Sequence, residues 1–180
     1  FPVSKNFLQR NFIWITSGVA IHLGFFASLY FLISQDESVL KHFGIDIANR
    51  ATLLIIVLIS VLMDSLAFFG GKKFGESKLL QNVSPNKTIE GFLIAMTLTP
   101  IIILLITSTL VEKNFYQFII LIIIASFVSV VGDAAISLFK RVVEVKDTSN
   151  LIPGHGGLLD RIDSHLATIP IFIFTLLLIS

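Results

Sequence analysis

Apolar residues fall into five long blocks separated by short polar stretches, approximately Phe12–Ile33, Ala51–Phe69, Ile89–Leu110, Phe115–Ile136 and Ile162–Ile179. Each block is close to the ~20 residues that a helix needs to cross the hydrocarbon core of a bilayer. The pattern predicts an all-α, polytopic transmembrane helical bundle of about five membrane helices. Pro100 predicts a kink in the third helix. The fifth block is the shortest and contains Pro170, so a kinked or only partly inserted helix is expected there. The first block follows Lys5 and Arg10, as a signal peptide would, but it is too long and no small-residue cleavage site follows it. It reads as a spanning helix. No repeat, low-complexity tract or linker divides the chain, so residues 1–180 form a single membrane-embedded domain. The chain opens on Phe1 rather than Met, so it reads as a fragment missing its true N-terminus.

Composition strengthens the membrane reading. Hydrophobic residues make up 54% of the chain and charged residues 14%, with a mean hydropathy of +0.90. Soluble domains carry about 25% charged residues, so this chain lacks the polar groups to cover its own surface. A net charge of +1 gives no ground for nucleic-acid binding. The absence of cysteine excludes disulfides, thiolate nucleophiles and Cys-based zinc sites.

Basic residues orient the bundle. With the N-terminus inside and five crossings, the inner side holds Lys5, Arg10, Lys72, Lys73, Lys78, Lys87, Lys140, Arg141, Lys146 and Arg161. The outer side holds Lys41, Arg50 and Lys113. This asymmetry predicts a cytoplasmic N-terminus and places two polar loops, about 70–88 and 138–161, on one cytoplasmic face.

Two carboxylates lie within the apolar blocks. Asp64 is eight residues before Lys72, and Asp133 is seven before Lys140. Both are therefore roughly 10–12 Å inside the cytoplasmic boundary, on different helices but at one level. A carboxylate within a spanning helix costs at least ~2.5–3.5 kcal/mol and usually serves a function. The bland alternative is a pair of buried aspartates bonded to serines or to loop lysines. Helical spacing extends Asp133 into a polar stripe with Ser137, Lys140, Arg141 and Glu144, and sets Ser60 one turn from Asp64.

The loops supply cations and glycines. Gly70 and Gly75 have P-loop spacing, but Glu76 stands where the lysine is required, leaving a flexible basic turn at a helix end. Ser84 followed by Pro85 reads as an N-cap opening the third helix, whose free N–H groups and Lys87 could hold a phosphate; an ordinary helix start is the alternative. Between 137 and 164 lie Ser137, Lys140, Arg141, Glu144, Lys146, Asp147, His155, Gly156, Gly157, Asp160, Arg161 and Asp163. Gly154, Gly156 and Gly157 permit close backbone approach to a ligand. Asp160 and Asp163 share a face of the following helix near its N-terminus, a placement that the helix dipole alone also favours. Carboxylates beside Lys and Arg, without sulfur, suit Mg²⁺ and a polyphosphate. His155 suits phosphate binding or positioning better than general base catalysis, because a phosphate monoester is already an oxyanion. His22, His42 and His165 have no such surroundings.

Taken together, Ser137, Lys140–Arg141, Lys146–Asp147, His155–Gly156–Gly157 and Asp160–Arg161–Ile162–Asp163 resemble the signature of phosphatidate cytidylyltransferases. Upstream, Asp64, Ala67, Phe68, Gly70 and Gly75 are similar to that family's Asp-x-x-Ala-Tyr…Gly segment. Ser84–Pro85–Asn86–Lys87–Thr88–Ile89–Glu90–Gly91 resembles its Ser-Pro-Lys-Lys-Thr-x-Glu-Gly segment, and Gly132–Asp133 its Gly-Asp pair. The departures are Phe68 for Tyr, Asn86 for Lys and Gly71 for a frequent Arg. The resemblance covers about residues 50–170, and because members of that family have additional apolar segments before this region, it implies further N-terminal helices ahead of Phe1. It implies a bacterial inner-membrane enzyme of phospholipid biosynthesis that turns CTP and phosphatidic acid into CDP-diacylglycerol and pyrophosphate. It also implies Mg²⁺, with a second cation open, at Asp64, Asp133, Asp160 and Asp163. Catalytic roles are implied for Asp133, Lys140, Arg141, Asp160, Arg161 and Asp163, and substrate binding for Ser84, Lys87, Ser137, Lys146, His155, Gly156 and Gly157. Expected partners are the two substrates and the lipid bilayer, with no nucleic acid and a homodimer as a candidate assembly. The rival readings are another CTP-dependent lipid enzyme, of the CDP-archaeol synthase or polyprenol kinase type, and a cation-coupled transporter using Asp64 and Asp133. An inactive, partner-binding fragment is a further alternative.

Overall fold

The computed structural model describes residues 11–81, 83–142, 144–145, 148–149, 157 and 159–179, with side chains from residue 16 onward. Among the described residues, five helices are long and apolar enough to cross a membrane. They are α1 (Asn11–Ser34), α2 (Asn49–Phe74), α3 (Ile89–Thr107), α4 (Phe115–Val142) and α5 (Leu159–Ile179). A two-stranded antiparallel hairpin, β1 (Lys78–Leu80) and β2 (Ser84–Thr88), joins α2 to α3. At 1.5 Å per residue, the 19 residues of α3 match a ~30 Å hydrocarbon layer. The 26 residues of α2 and 28 of α4 are longer, so each carries its basic last turn beyond that layer.

The helices pack in sequence-adjacent pairs, α2 on α3 and α4 on α5, and α1 lies chiefly against α5. Large side chains dominate the half of the core away from the hairpin, where Phe43, Ile56, Ile59, Phe118, Ile122 and Phe172 are fully or almost fully buried. Toward the hairpin the core thins to Met63, Ala95 and Val130, which leaves room for polar side chains between helices. The outer surface is apolar, with Leu23, Phe26, Leu54, Val61, Ile101, Leu105, Ile120, Phe127 and Leu177 all exposed. No soluble protein would leave such a belt in water, so the chain is an integral membrane protein.

Three sequence expectations change. First, the glycine-rich basic segment at 70–75 is largely helical: α2 runs through Gly70 and Gly71 to Phe74. The glycines are there for close packing. A Cβ on Gly71 would stand 2.6 Å from the Thr88 hydroxyl, and one on Gly91 would collide with the Ala67 carbonyl. Second, α3 does not begin at Ser84. Residues Ser84–Thr88 are extended, with Lys78 opposite Thr88 and Leu80 opposite Ser84. Thr88, also extended, is the cap, and its hydroxyl accepts from the Gly91 N–H at 3.2 Å. Pro85 fits this strand because a two-stranded ribbon has open edges that need no donor. Third, α5 runs 21 residues through Pro170, longer than α3, so it is not the shortest of the five helices.

The end away from the hairpin is closed by backbone contacts. Phe43 lies in a short 3₁₀ turn, and its carbonyl accepts from both Glu112 and Lys113 N–H groups at 3.0 Å. Gly44 follows at φ +77°, a left-handed conformation that glycine adopts without penalty. Asn114 donates to the His42 carbonyl at 3.0 Å, tying the 35–48 and 108–114 connections together.

Candidate active site

The up-and-down order brings the C-terminal ends of α2 and α4, the N-terminal ends of α3 and α5, and the hairpin to one end of the bundle. The sequence-predicted acids and cations gather there. Lys87, at the end of β2, donates to the Asp133 carboxylate on α4 in an ion pair whose side chains are 23% and 17% exposed. Asp133 is in turn an electrostatic neighbour of Asp64 on α2 and of Asp163 on α5. Three acids from three membrane helices thus meet, with Asp64 and Asp133 beside Lys87 and Asp163 beside Lys140.

Close helix packing makes this possible. A Cβ on Gly132 would stand 2.6 Å from that of Ala167 and 3.4 Å from the Ser164 carbonyl. Glycine at 132 lets α4 approach α5 closely enough for Asp133 to meet Asp163. The Ser164 hydroxyl reaches the Asp64 carboxylate at 3.5 Å, and its N–H donates to Asp163 Oδ1 at 2.9 Å. Asp64 keeps an accessible surface. Ser60, one turn deeper, donates to Thr168 at 3.3 Å rather than to Asp64.

A second knot forms around Asp160. One carboxylate oxygen accepts from Lys140 Nζ at 2.9 Å. The other accepts from Thr148 N–H (2.9 Å), Thr148 Oγ1 (3.0 Å) and Gly157 N–H (2.9 Å). Asp160 therefore ties Thr148 and Gly157 to Lys140 on α4, and its acceptor capacity is largely taken. A Cβ on Gly157 would collide with Thr148 Oγ1. Arg141 Nε donates to the Val83 carbonyl at 3.2 Å, pinning the hairpin to α4. Ser137 lies one turn along α4 from Asp133, Ser84 is half-buried in β2, and Arg161 is on an exposed side of α5. The polar stripe expected to reach Glu144 stops at Arg141, because α4 ends at Val142 and Glu144 turns to φ +59°. Lys146, His155 and Gly156 lie outside the described residues.

Sequence reasoning did not single out Ser164, Thr148 or Glu90. Glu90 accepts from the backbone N–H groups of Glu76 and Ser77, each at 3.1 Å, and so fastens the end of α2 to the start of α3. The Ser84–Gly91 motif now resolves into jobs: Lys87 pairs with Asp133, Thr88 caps, Glu90 fastens and Gly91 admits the neighbouring helix. The spacing of the motif was visible in the sequence, while the partners of its residues are tertiary.

Among the described residues, no three His, Cys, Asp or Glu side chains form a ready-made metal cage. The donor set nevertheless fits Mg²⁺. This ion takes oxygen ligands, typically one or two carboxylates, and completes its shell with water and substrate phosphates. Asp64, Asp133 and Asp163 together offer three carboxylates from which one or two could serve.

A family profile described as the cytidylyltransferase family matches residues 2–179. The chain is 45% identical over 178 residues to a phosphatidate cytidylyltransferase of Haemophilus influenzae, covering 96% of this chain and 60% of that protein. It is 44% identical over 123 residues to the Bacillus subtilis phosphatidate cytidylyltransferase, covering 65% of this chain and 44% of that protein. Against the enzyme of that name from Pseudomonas aeruginosa it is 41% identical over 128 residues, covering 70% of this chain and 47% of that protein. The chain thus spans about half the length of the curated relatives it matches. With the profile running along nearly the whole chain, and the motif residues converging at one end of a membrane bundle, this protein belongs to the cytidylyltransferase family.

Proposed function

We propose that this chain carries the reaction centre of a membrane nucleotidyltransferase that converts CTP and phosphatidate to CDP-diacylglycerol and pyrophosphate. The observation that carries the reading is the meeting of Asp64, Asp133 and Asp163 with Lys87 and Lys140 at one end of the bundle. An anionic headgroup at the membrane surface can reach that level without leaving the bilayer. The basic residues flanking the site end support a cytoplasmic orientation, and the bacterial relatives support a place in the inner membrane.

In the proposed reaction, a phosphatidate phosphate oxygen attacks the α-phosphorus of CTP. A new P–O bond forms, the bond from the α-phosphorus to the bridging oxygen breaks, and pyrophosphate leaves with that electron pair. The attacking group is already an oxyanion at neutral pH, so no base is required. Lys87, Lys140, Arg141 and Arg161 bring positive charge to where negative charge accumulates, and Ser84, Ser137, Lys146, His155, Gly156 and Gly157 contribute to holding the substrates. In the resting state the ion pairs to Asp133 and Asp160 hold the two lysines in place, so little reorganisation is needed when phosphates arrive. Mg²⁺, held by Asp64, Asp133 and Asp163, would neutralise phosphate charge when bound, while Asp160 orders Lys140, Thr148 and Gly157 around the site.

Position-specific labelling of CTP tests the reading against a lipid kinase. Purified protein is incubated with phosphatidate, Mg²⁺ and CTP carrying ³²P at either the α or the γ position. Cytidylyl transfer puts only the α label into lipid and the γ label into pyrophosphate. Lipid carrying the γ label would instead establish a kinase.

A further inference from the structure

A cavity of about 360 Å³ lies between α1 and the site ends of α4 and α5. Its size falls within the ~300–1,000 Å³ range of small-molecule sites. Its walls are mainly apolar: Ile21 from α1, Ile136 and Phe139 from α4, and Leu159 from α5. At one side it meets Lys140 and Thr148, both bound to Asp160 in the knot described above. On α1 the wall is notched. A Cβ on Gly18 would meet nothing within 4 Å, and the His22 ring is tied back along its own helix, its Nδ1 2.7 Å from the Gly18 carbonyl. The face of α1 beyond the notch, at Val19, Leu23 and Phe26, is exposed where lipid would stand.

We propose that this cavity seats the upper part of one acyl chain of the lipid substrate, with Gly18 setting the space available to it. The inference rests on the reading of the protein as an enzyme of phosphatidate. Two features select the occupant. Ile21, Ile136, Phe139, Val145 and Leu159 offer a polar ligand few partners, whereas an apolar chain fills the space between them without that penalty. At the Lys140 edge an ammonium paired with Asp160 still has N–H donors to offer a phosphate, so one molecule with a phosphate head and an apolar tail satisfies both regions.

The test compares Gly18→Leu with Gly24→Leu. Both glycines are on α1 with open space around them, but Gly24 is not among the cavity residues. Initial rates are measured with dioleoyl and dihexanoyl phosphatidate, and the thermal midpoint of each variant is recorded. Gly18→Leu is expected to raise KM for the dioleoyl substrate by about tenfold, the worth of a few methylene contacts. It should leave kcat, the dihexanoyl KM and the thermal midpoint near wild type, as Gly24→Leu should for both substrates. Equal effects of Gly18→Leu on both substrates, or none on either, would overturn the proposal.

A second arm does not depend on turnover. A phosphatidate with a diazirine near the top of one acyl chain is photolysed with the protein in phosphatidylcholine nanodiscs. Labelling of the α1 peptide around Ile21 should be lost in Gly18→Leu and competed by phosphatidate. Labelling that survives both changes, or crosslinking of the notch to another protein segment, would assign the cavity a different occupant. A wild-type protein that labels as expected but makes no product would count against the proposed reaction, not against the cavity.

Discussion

At the residue scale, the two aspartates near the start of α5 divide the work. Asp160 is committed to protein donors: one lysine, two backbone N–H groups and a hydroxyl. Asp163 faces Asp133 and is bonded locally by the Ser164 N–H. The two Asp→Asn variants should therefore differ. Asp160→Asn replaces an acceptor with a donor against N–H partners, so it should lose activity and lower the thermal midpoint together. Asp163→Asn should lose activity with the midpoint unchanged, because removing one of two adjacent negative charges relieves repulsion. Differential scanning fluorimetry beside the labelled-CTP assay separates these patterns. The sequence placed both residues on one helix face but could not divide them, because the division is made by Thr148 and Gly157 across the loop.

At the element scale, small residues decide how close the helices come. Gly91 lies against the Ala67 carbonyl, so Gly91→Ala should destabilise by about 1–3 kcal/mol, read as a lower thermal midpoint. Gly24→Ala, which meets nothing, should instead raise it slightly, since alanine is favoured over glycine within a helix by ~1 kcal/mol. The same contrast explains what was legible in the sequence. The helical blocks were, because roughly 20 apolar residues admit few alternatives in a membrane. The end of α2 and the start of α3 were not. Local propensity reads Gly70–Gly75 as a breaker and Ser84–Pro85 as a helix start. The hairpin pairing of Lys78 with Thr88 and the clasp from Glu90 to Glu76 and Ser77 override both preferences.

At the scale of the whole molecule, the depth of Asp64 and Asp133 and the shared end of the two polar loops followed from the sequence alone, and the bundle brings them together. The basic asymmetry predicts that this end faces the cytoplasm. The chain has no cysteine, so single cysteines report cleanly. In intact cells a membrane-impermeant maleimide should label Glu37→Cys, and should label Lys78→Cys only after permeabilisation. The reverse pattern would invert the orientation. The central claim is that acids held on separate membrane helices form one nucleotidyl-transfer centre. Its most direct test is the rate of α-labelled CTP incorporation into phosphatidate by the wild type and Asp163→Asn, in nanodiscs, with folding checked in parallel. The account predicts metal-dependent labelled lipid from the wild type and a loss of about 100-fold or more in the variant. Wild-type activity in a folded Asp163→Asn protein would contradict it.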